Sequence, residues 1–188
     1  MSADYDYIFL GLQAQINREY VTDLIVNTLP PVVSSGDTTD LANSIASLDG
    51  WTDPKDYHVT LYYGGGRPEA ERRERKDAFP EGKKVKLKLK YLVYAVGFNV
   101  CVYARILDPR TQSDNRFSHI TLKTRHSAAV DSNALLEALY QEDYDVFNNG
   151  GANLYLVSLK GKSLKCYVVA LDEQEVIVNS VATVYYKY

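Results

Sequence analysis

A strict alternation at residues 84–91 constrains the fold of this chain more than any other feature. The alternating residues are Lys84, Lys86, Lys88 and Lys90 on one face and Val85, Leu87, Leu89 and Tyr91 on the other. A period of two is typical of a β-strand with one face in a core and one face in solvent. The β-rich run that contains this alternation is Lys84–Val96, and a second one, Phe98–Leu107, begins just after Gly97. The two runs are therefore predicted to be adjacent antiparallel strands.

The remaining segments extend this pattern into a mixed order of strands and helices. Further strands are predicted at Tyr5–Leu12, Tyr57–Tyr63, Phe117–Thr124, Asn153–Leu159, Leu164–Leu171 and Val181–Tyr186. Helices are predicted at residues 16–28, at Pro68–Ala78 and from Asp131 onward, and the polar stretch 32–50 is interpreted as a mobile lid with one short helix at Asp40–Leu48. Runs of strands between isolated helices favour an α+β fold with antiparallel sheet over a doubly wound parallel fold.

Length and composition predict a single globular domain covering residues 1–188. The chain is 46% hydrophobic and 24% charged, and it has no apolar run of the roughly 20 residues needed to cross a bilayer. The first ten residues carry no cationic side chain, which argues against a secretory signal. Cys101 and Cys166 form no CxxC pair, so neither a disulfide framework nor a cysteine zinc site is expected. We expect a cytoplasmic protein with no membrane association and no obligate protein partner.

Charge is distributed unevenly along the chain. Residues 67–90 carry ten Lys or Arg and five Asp or Glu, whereas the rest of the chain has 11 basic and 19 acidic residues. This balance excludes a nucleic-acid coat over the whole surface but allows recognition of a small anion or a short strand. The four alternating lysines fit either a solvated face that protects a sheet edge or a track for the phosphates of an oligonucleotide, and we favour the solvated face.

The pattern His, aliphatic, Thr, Leu occurs twice, at His58–Leu61 and at His119–Leu122, and it uses two of the three histidines. Residues i and i+2 of a strand project from the same face about 6 to 7 Å apart, so each motif presents an imidazole and a hydroxyl together. If the two strands lie side by side, both pairs converge on one cleft of a size suited to a phosphodiester. The candidate catalytic residues are therefore His58, Thr60, His119 and Thr121.

This set of groups can hydrolyse a phosphodiester without a metal or a cofactor. One neutral histidine can take a proton from the attacking water, and the other, protonated, can give a proton to the departing oxygen. The hydroxyls can donate hydrogen bonds to the non-bridging oxygens. A metal pair would need a further ligand, and the third histidine, His126, falls past the strand end and is interpreted as a surface residue. A single histidine in a strand is usually structural, but the repeated context favours a catalytic role.

These motifs resemble those of the two-histidine (2H) phosphoesterase superfamily. Its members include RNA 2',3'-cyclic phosphodiesterases, 2'-5' RNA ligase-like proteins, the cyclic phosphodiesterase domain of tRNA ligases, and viral enzymes that degrade 2'-5' oligoadenylates or cyclic oligonucleotides. The first motif and the stretch His119–Leu136 look most like the tRNA ligase branch. The kinase and ligase domains that accompany that branch are not in this sequence, so a stand-alone or viral enzyme is also expected.

The resemblance implies a bilobal α+β fold, in which two antiparallel sheets line a central cleft and helices lie outside. The implied substrate is an RNA end with a 2',3'-cyclic phosphate. The alternatives are 2'-5' oligoadenylate or cyclic oligonucleotide messengers, or binding of nucleotides without chemistry. The residues leave open which histidine is the acid and which is the base.

Strand alternation also identifies candidate substrate-binding residues around the motifs. Tyr62 shares the face of His58 and Thr60, whereas Tyr63 does not, so Tyr62 is the candidate base-stacking platform. Lys123 and Arg125 share the face of the second motif and are candidates for contact with a flanking phosphate. The weaker candidates for stacking are Trp51 and Tyr7.

Overall fold

A computed structural model describes residues 5–45, 50–125, 127–171 and 175–186 of the chain. The helices are α1 (Arg18–Thr28), α2 (Ser35–Ile45), α3 (Glu69–Asp77) and α4 (Asp131–Glu142). The strands are β1 (Tyr7–Ala14), β2 (His58–Tyr63), β3 (Lys84–Ala95), β4 (Asn99–Ile106), β5 (His119–Thr124), β6 (Ala152–Leu159), β7 (Lys162–Ala170) and β8 (Ile177–Tyr186). The predicted order of strands and helices is confirmed within these ranges.

The eight strands form one sheet in the order β4-β5-β2-β1-β8-β3-β7-β6, and all the pairings are antiparallel. The long strand β3 also pairs with β4, which closes six strands into an antiparallel barrel and leaves β7 and β6 as an extension. The α+β class is thus confirmed. The strand pairing gives one continuous sheet where the resemblance implies two, because β3 is long enough to pair with β8 over its first half and with β7 over its second half, while β4 pairs with residues of both halves.

Two apolar layers cover the two faces of the sheet. One contains Val59 and Ile120, and the helices α1 and α2 pack on it through Val21, Ile25 and Leu41. The other contains alternate residues of β3 and β4 and is covered by α4. Because Cys101 on β4 is in this second layer and is paired with Thr121, the threonine lies on the face that carries α4.

The alternation is confirmed at residues 84–89, with Val85, Leu87 and Leu89 buried and Lys84 and Lys86 exposed. Lys90 is an extra residue in the ladder with β4, so Tyr91 lies in the other apolar layer and not on the predicted face. The helix in the polar stretch begins earlier than expected, at Ser35, and Leu48 lies outside the described residues. Asp37 of α2 accepts hydrogen bonds from Tyr167 and Lys165, and Leu41 is buried. Residues 35–45 of this stretch therefore form a helix that packs on the core. No described helix is long and apolar enough to cross a membrane.

Candidate active site

The two histidine motifs lie on neighbouring antiparallel strands. Val59 of β2 pairs with Ile120 of β5, and both side chains are fully buried. One residue to either side of this pair, the register places His58 opposite Thr121 and Thr60 opposite His119. Each imidazole therefore faces the hydroxyl of the other motif across the strand pair.

These four side chains line a single cleft of about 450 Å³ beside the N-terminal end of α4. The other lining residues come from β1, from β2 itself, from the segments after β2 and before β5, and from the region around the start of α4. They are Phe9, Leu61, Tyr63, Arg67, Asp114, Asn115, Ala129, Val130 and Asn133. The predicted convergence of the two motifs on one cleft is thus found in the structure.

His119 is held by the backbone two residues before it. Its Nδ1 lies 2.8 Å from the carbonyl oxygen of Phe117, and because a carbonyl can only accept, Nδ1 carries a proton. The tautomer of the neutral ring is therefore fixed, with Nε2 left to accept or give a proton in the cleft. Burial lowers the pKa of His119 from its ordinary value, and the hydrogen bond to Phe117 partly opposes this shift.

His58 lies against aromatic rings. Its ring centroid is 4.6 Å from that of Phe9, in a stacked arrangement, and 5.2 Å from that of Tyr185. Phe9 and Tyr185 are themselves stacked at 4.2 Å. Burial lowers the pKa of His58, positive charge on His119 would lower it further, and Asp56 raises it through its charge and its backbone. Both histidines therefore favour the neutral form in the free protein.

The two threonine hydroxyls differ in their surroundings. Thr121 Oγ1 lies 2.8 Å from Ser132 Oγ and 3.3 Å from the carbonyl oxygen of Ala129, and Asn99 donates to Ser132 at 3.1 Å. Within the described ranges, the Thr60 hydroxyl makes no hydrogen bond to another protein group. Thr60 is therefore the hydroxyl that is free to donate to a ligand.

The predicted base platform, Tyr62, is not in the cleft. On β1, Leu10 pairs with Tyr62 and Gly11 pairs with Thr60, so Leu61 is an extra residue in the ladder. Such a β-bulge inverts the alternation beyond it. Tyr62 is consequently 2% exposed in a core cluster, and its hydroxyl donates to Glu71. Tyr63 lines the cleft in its place.

A second bulge has the same effect on β5. Val100 pairs with Lys123 and Cys101 pairs with Thr121, so Leu122 is the extra residue. Lys123 is only 2% exposed, and its ammonium pairs with Asp53 at 2.7 Å. The prediction that Lys123 contacts a flanking phosphate is therefore wrong. The ion pair between Lys123 and Asp53 instead links β5 to the segment before β2.

The other three predicted binding residues also lie outside the cleft. The guanidinium of Arg125 pairs with Asp40 on α2. Trp51 packs against the core, with its ring centroid 6.1 Å from that of Tyr94. Tyr7 is 2% exposed, and its hydroxyl donates to the carbonyl of Arg72. His126 lies outside the described residues.

Sequence reasoning missed Phe9, Arg67 and Asn133 as lining residues. The register pairs Phe9 of β1 with Tyr63 and not with His58, and the ring of Phe9 reaches His58 by lying over Gly11, which has no side chain, so no local pattern indicates this contact. Arg67 follows the glycine run after the first motif, and Asn133 lies in the first turn of the helix after the second, so the available signal was the connection from each motif strand to the next helix. Among the described residues, no cluster of three or more His, Cys, Asp or Glu side chains is placed to hold a metal ion.

Comparison with known proteins shows the fold of this chain. Neither a protein-family model nor a curated protein matches this sequence. Among solved structures, the chain shares its fold with one described as the crystal structure of a fungal RNA kinase, with a TM-score of 0.66 and 18% sequence identity. The match covers 97% of this chain and 46% of the other, so this chain spans about half the length of that protein.

Proposed function

We propose that the cleft hydrolyses a nucleotide phosphodiester without a metal ion, and that its first substrate is a 2',3'-cyclic phosphate at an RNA end. The observation that carries this proposal is the pairing of β2 with β5, in which each histidine faces the threonine of the other motif. The resemblance of both motifs to those of 2H phosphoesterases supports it. The fold shared with a protein described as an RNA kinase is consistent with an RNA substrate.

The reaction needs one proton acceptor and one proton donor. The oxygen of water forms a bond to phosphorus as the bond to the 2' or 3' ribose oxygen breaks. A neutral histidine takes the proton of the water, and a protonated histidine gives its proton to the departing ribose oxygen. The two histidines end with exchanged protonation states, and proton exchange with solvent restores them. The Thr60 hydroxyl donates to a non-bridging oxygen, where negative charge increases.

The same groups would cut 2'-5' oligoadenylate or cyclic oligonucleotide messengers, since every catalytic residue is shared. Incubation with each of these substrates and with RNA ending in a 2',3'-cyclic phosphate, all in EDTA, separates the alternatives. We expect turnover of the cyclic phosphate, with the product phosphate identified by mass spectrometry. If only the messengers are turned over, they are the substrate and the RNA 2',3'-cyclic phosphate is not.

Variants of the histidines test the chemistry itself. His58→Ala and His119→Ala should each lower kcat by about 100-fold or more while nucleotide binding is retained. His126→Ala is the matched control, because sequence places it past the end of the second motif strand, and its kcat should be unchanged. Unchanged turnover in either motif variant would contradict the proposal. Binding without turnover by the natural chain would indicate a nucleotide-binding module.

A further inference from the structure

Tyr63 is an exposed aromatic side chain on the rim of the cleft. The bulge at Leu61 turns Tyr62 into the core and leaves Tyr63 on the cleft side, 58% exposed. A flat ring that is more than half exposed on the rim of a cleft offers a stacking surface to a ligand.

The glycine run after β2 fixes the position of this ring. A Cβ atom at Gly65 would lie 2.6 Å from Cζ of Tyr63, so the ring rests directly on the loop backbone. A Cβ atom at Gly64 would lie 2.9 Å from the ring of Tyr7, so this part of the loop is itself packed against the core. The loop thus supports one side of the Tyr63 ring and leaves the remainder to solvent. Such a ring loses little conformational freedom when a ligand stacks on it.

The surroundings of Tyr63 match the parts of a nucleotide. Arg67 lies on the same rim, is exposed, and forms no ion pair within the described part of the chain. Val130, at the start of α4, also lines the cleft and is 74% exposed. The side-chain oxygen of Asn133 is buried in the cleft wall without a hydrogen-bond partner. The free cation of Arg67 is complementary to a phosphate, and the exposed apolar side chain of Val130 is complementary to the face of a base. The unpaired amide oxygen of Asn133 is complementary to a polar edge of the base or sugar.

We infer that Tyr63 is the base-stacking platform of the cleft and that Arg67 contacts a phosphate of the same ligand. The cleft therefore selects nucleotides over simple sugar phosphates. This inference rests on the proposed function, because it concerns the substrate of that same site. It assigns to Tyr63 the role that strand alternation had given to Tyr62.

The test compares one ligand with and without its base. Equilibrium dissociation constants are measured by calorimetry for adenosine 2'-monophosphate and for ribose 2-phosphate, and no turnover is needed. Stacking on a tyrosine contributes about a tenfold to hundredfold gain in affinity. The natural chain should therefore bind the nucleotide at least about tenfold more tightly than the sugar phosphate. Tyr63→Ala should remove this preference, and Tyr63→Phe should retain it.

The matched control is Tyr144→Ala, which removes an equally exposed tyrosine outside the cleft lining and should leave both affinities unchanged. Arg67→Gln should weaken both ligands by a similar factor, because both carry a phosphate. A preference that survives Tyr63→Ala, or no preference in the natural chain, overturns the inference. Tyr63-dependent binding without hydrolysis of a cyclic phosphate would uphold the platform and contradict the proposed chemistry. Hydrolysis that is unchanged by Tyr63→Ala would support the proposed chemistry and contradict the role of Tyr63 as a platform.

Discussion

At the scale of single residues, the two halves of the site differ although their motifs are alike. The ring of His119 is fixed by a backbone carbonyl, and the ring of His58 is fixed by two aromatic rings. The hydroxyl of Thr121 belongs to a buried network, and that of Thr60 is free within the described ranges. The repeated motif therefore supplies the same groups twice, and their neighbours give each copy a different environment.

The threonines provide a matched pair of substitutions. Thr60→Val should lower kcat/KM about tenfold or more and change the free energy of unfolding by less than about 0.5 kcal/mol, because only a bond to substrate is lost. Thr121→Val should destabilise the protein by about 1 to 3 kcal/mol, because Ser132, which is also bonded to Asn99, loses one partner in a buried network. Urea unfolding and steady-state kinetics measure both quantities. Equal effects of the two substitutions would contradict this distinction.

The lowered histidine pKa values predict an acidic optimum. Activity needs one protonated and one neutral histidine, and this state is most populated between the two pKa values of the pair. Because burial lowers both pKa values below the ordinary value of about 6.5, the maximum of kcat/KM should fall below about pH 6.5. At higher pH both rings are neutral and the proton donor is lost. A maximum of kcat/KM clearly above about pH 6.5 would contradict the expected shifts.

At the scale of the strands, two bulges decide which side chains reach the cleft. Alternation correctly predicts the side chains of each motif up to its leucine, because the pattern is local. Beyond Leu61 and Leu122 it predicts the wrong face, because an extra residue in the ladder depends on how β1 and β4 pair with these strands. No pattern within β2 or β5 signals this. The candidate catalytic residues could thus be located from sequence, whereas the other side chains that line the cleft could not.

Gly11 on β1, beside the first bulge, has no room for a larger side chain. A Cβ atom there would lie 2.8 Å from the carbonyl oxygen of Val59 and 3.3 Å from the ring of Tyr185. Gly11→Ala should therefore separate β1 from β2, cost about 1 to 3 kcal/mol of stability and lower kcat by moving the rings that hold His58. The control is Gly36→Ala in α2, where an added Cβ atom would meet no other atom within 4 Å. This substitution should stabilise the protein by about 0.5 to 1 kcal/mol. Activity that is normal in Gly11→Ala would argue against coupling between this contact and the site.

At the scale of the whole molecule, strand pairing joins two motifs that are 61 residues apart in sequence. The α+β class and the order of elements follow from local periodicity, since each strand and helix has its own pattern. The closure of six strands through β3 depends on long-range hydrogen bonds, which periodicity does not encode. For this reason the sequence predicted the elements that carry the site, but not the single sheet that brings them together.

The most direct measurement of the central claim is the kcat of the double variant His58→Ala/His119→Ala, compared with both single variants, on a nucleoside 2',3'-cyclic phosphate in EDTA. If the two imidazoles act together on one phosphorus, each single substitution should remove most of the activity, and the double variant should be little worse than either. If the two losses multiply independently, or if either single variant keeps the kcat of the natural chain, the histidines do not act as a pair in this cleft.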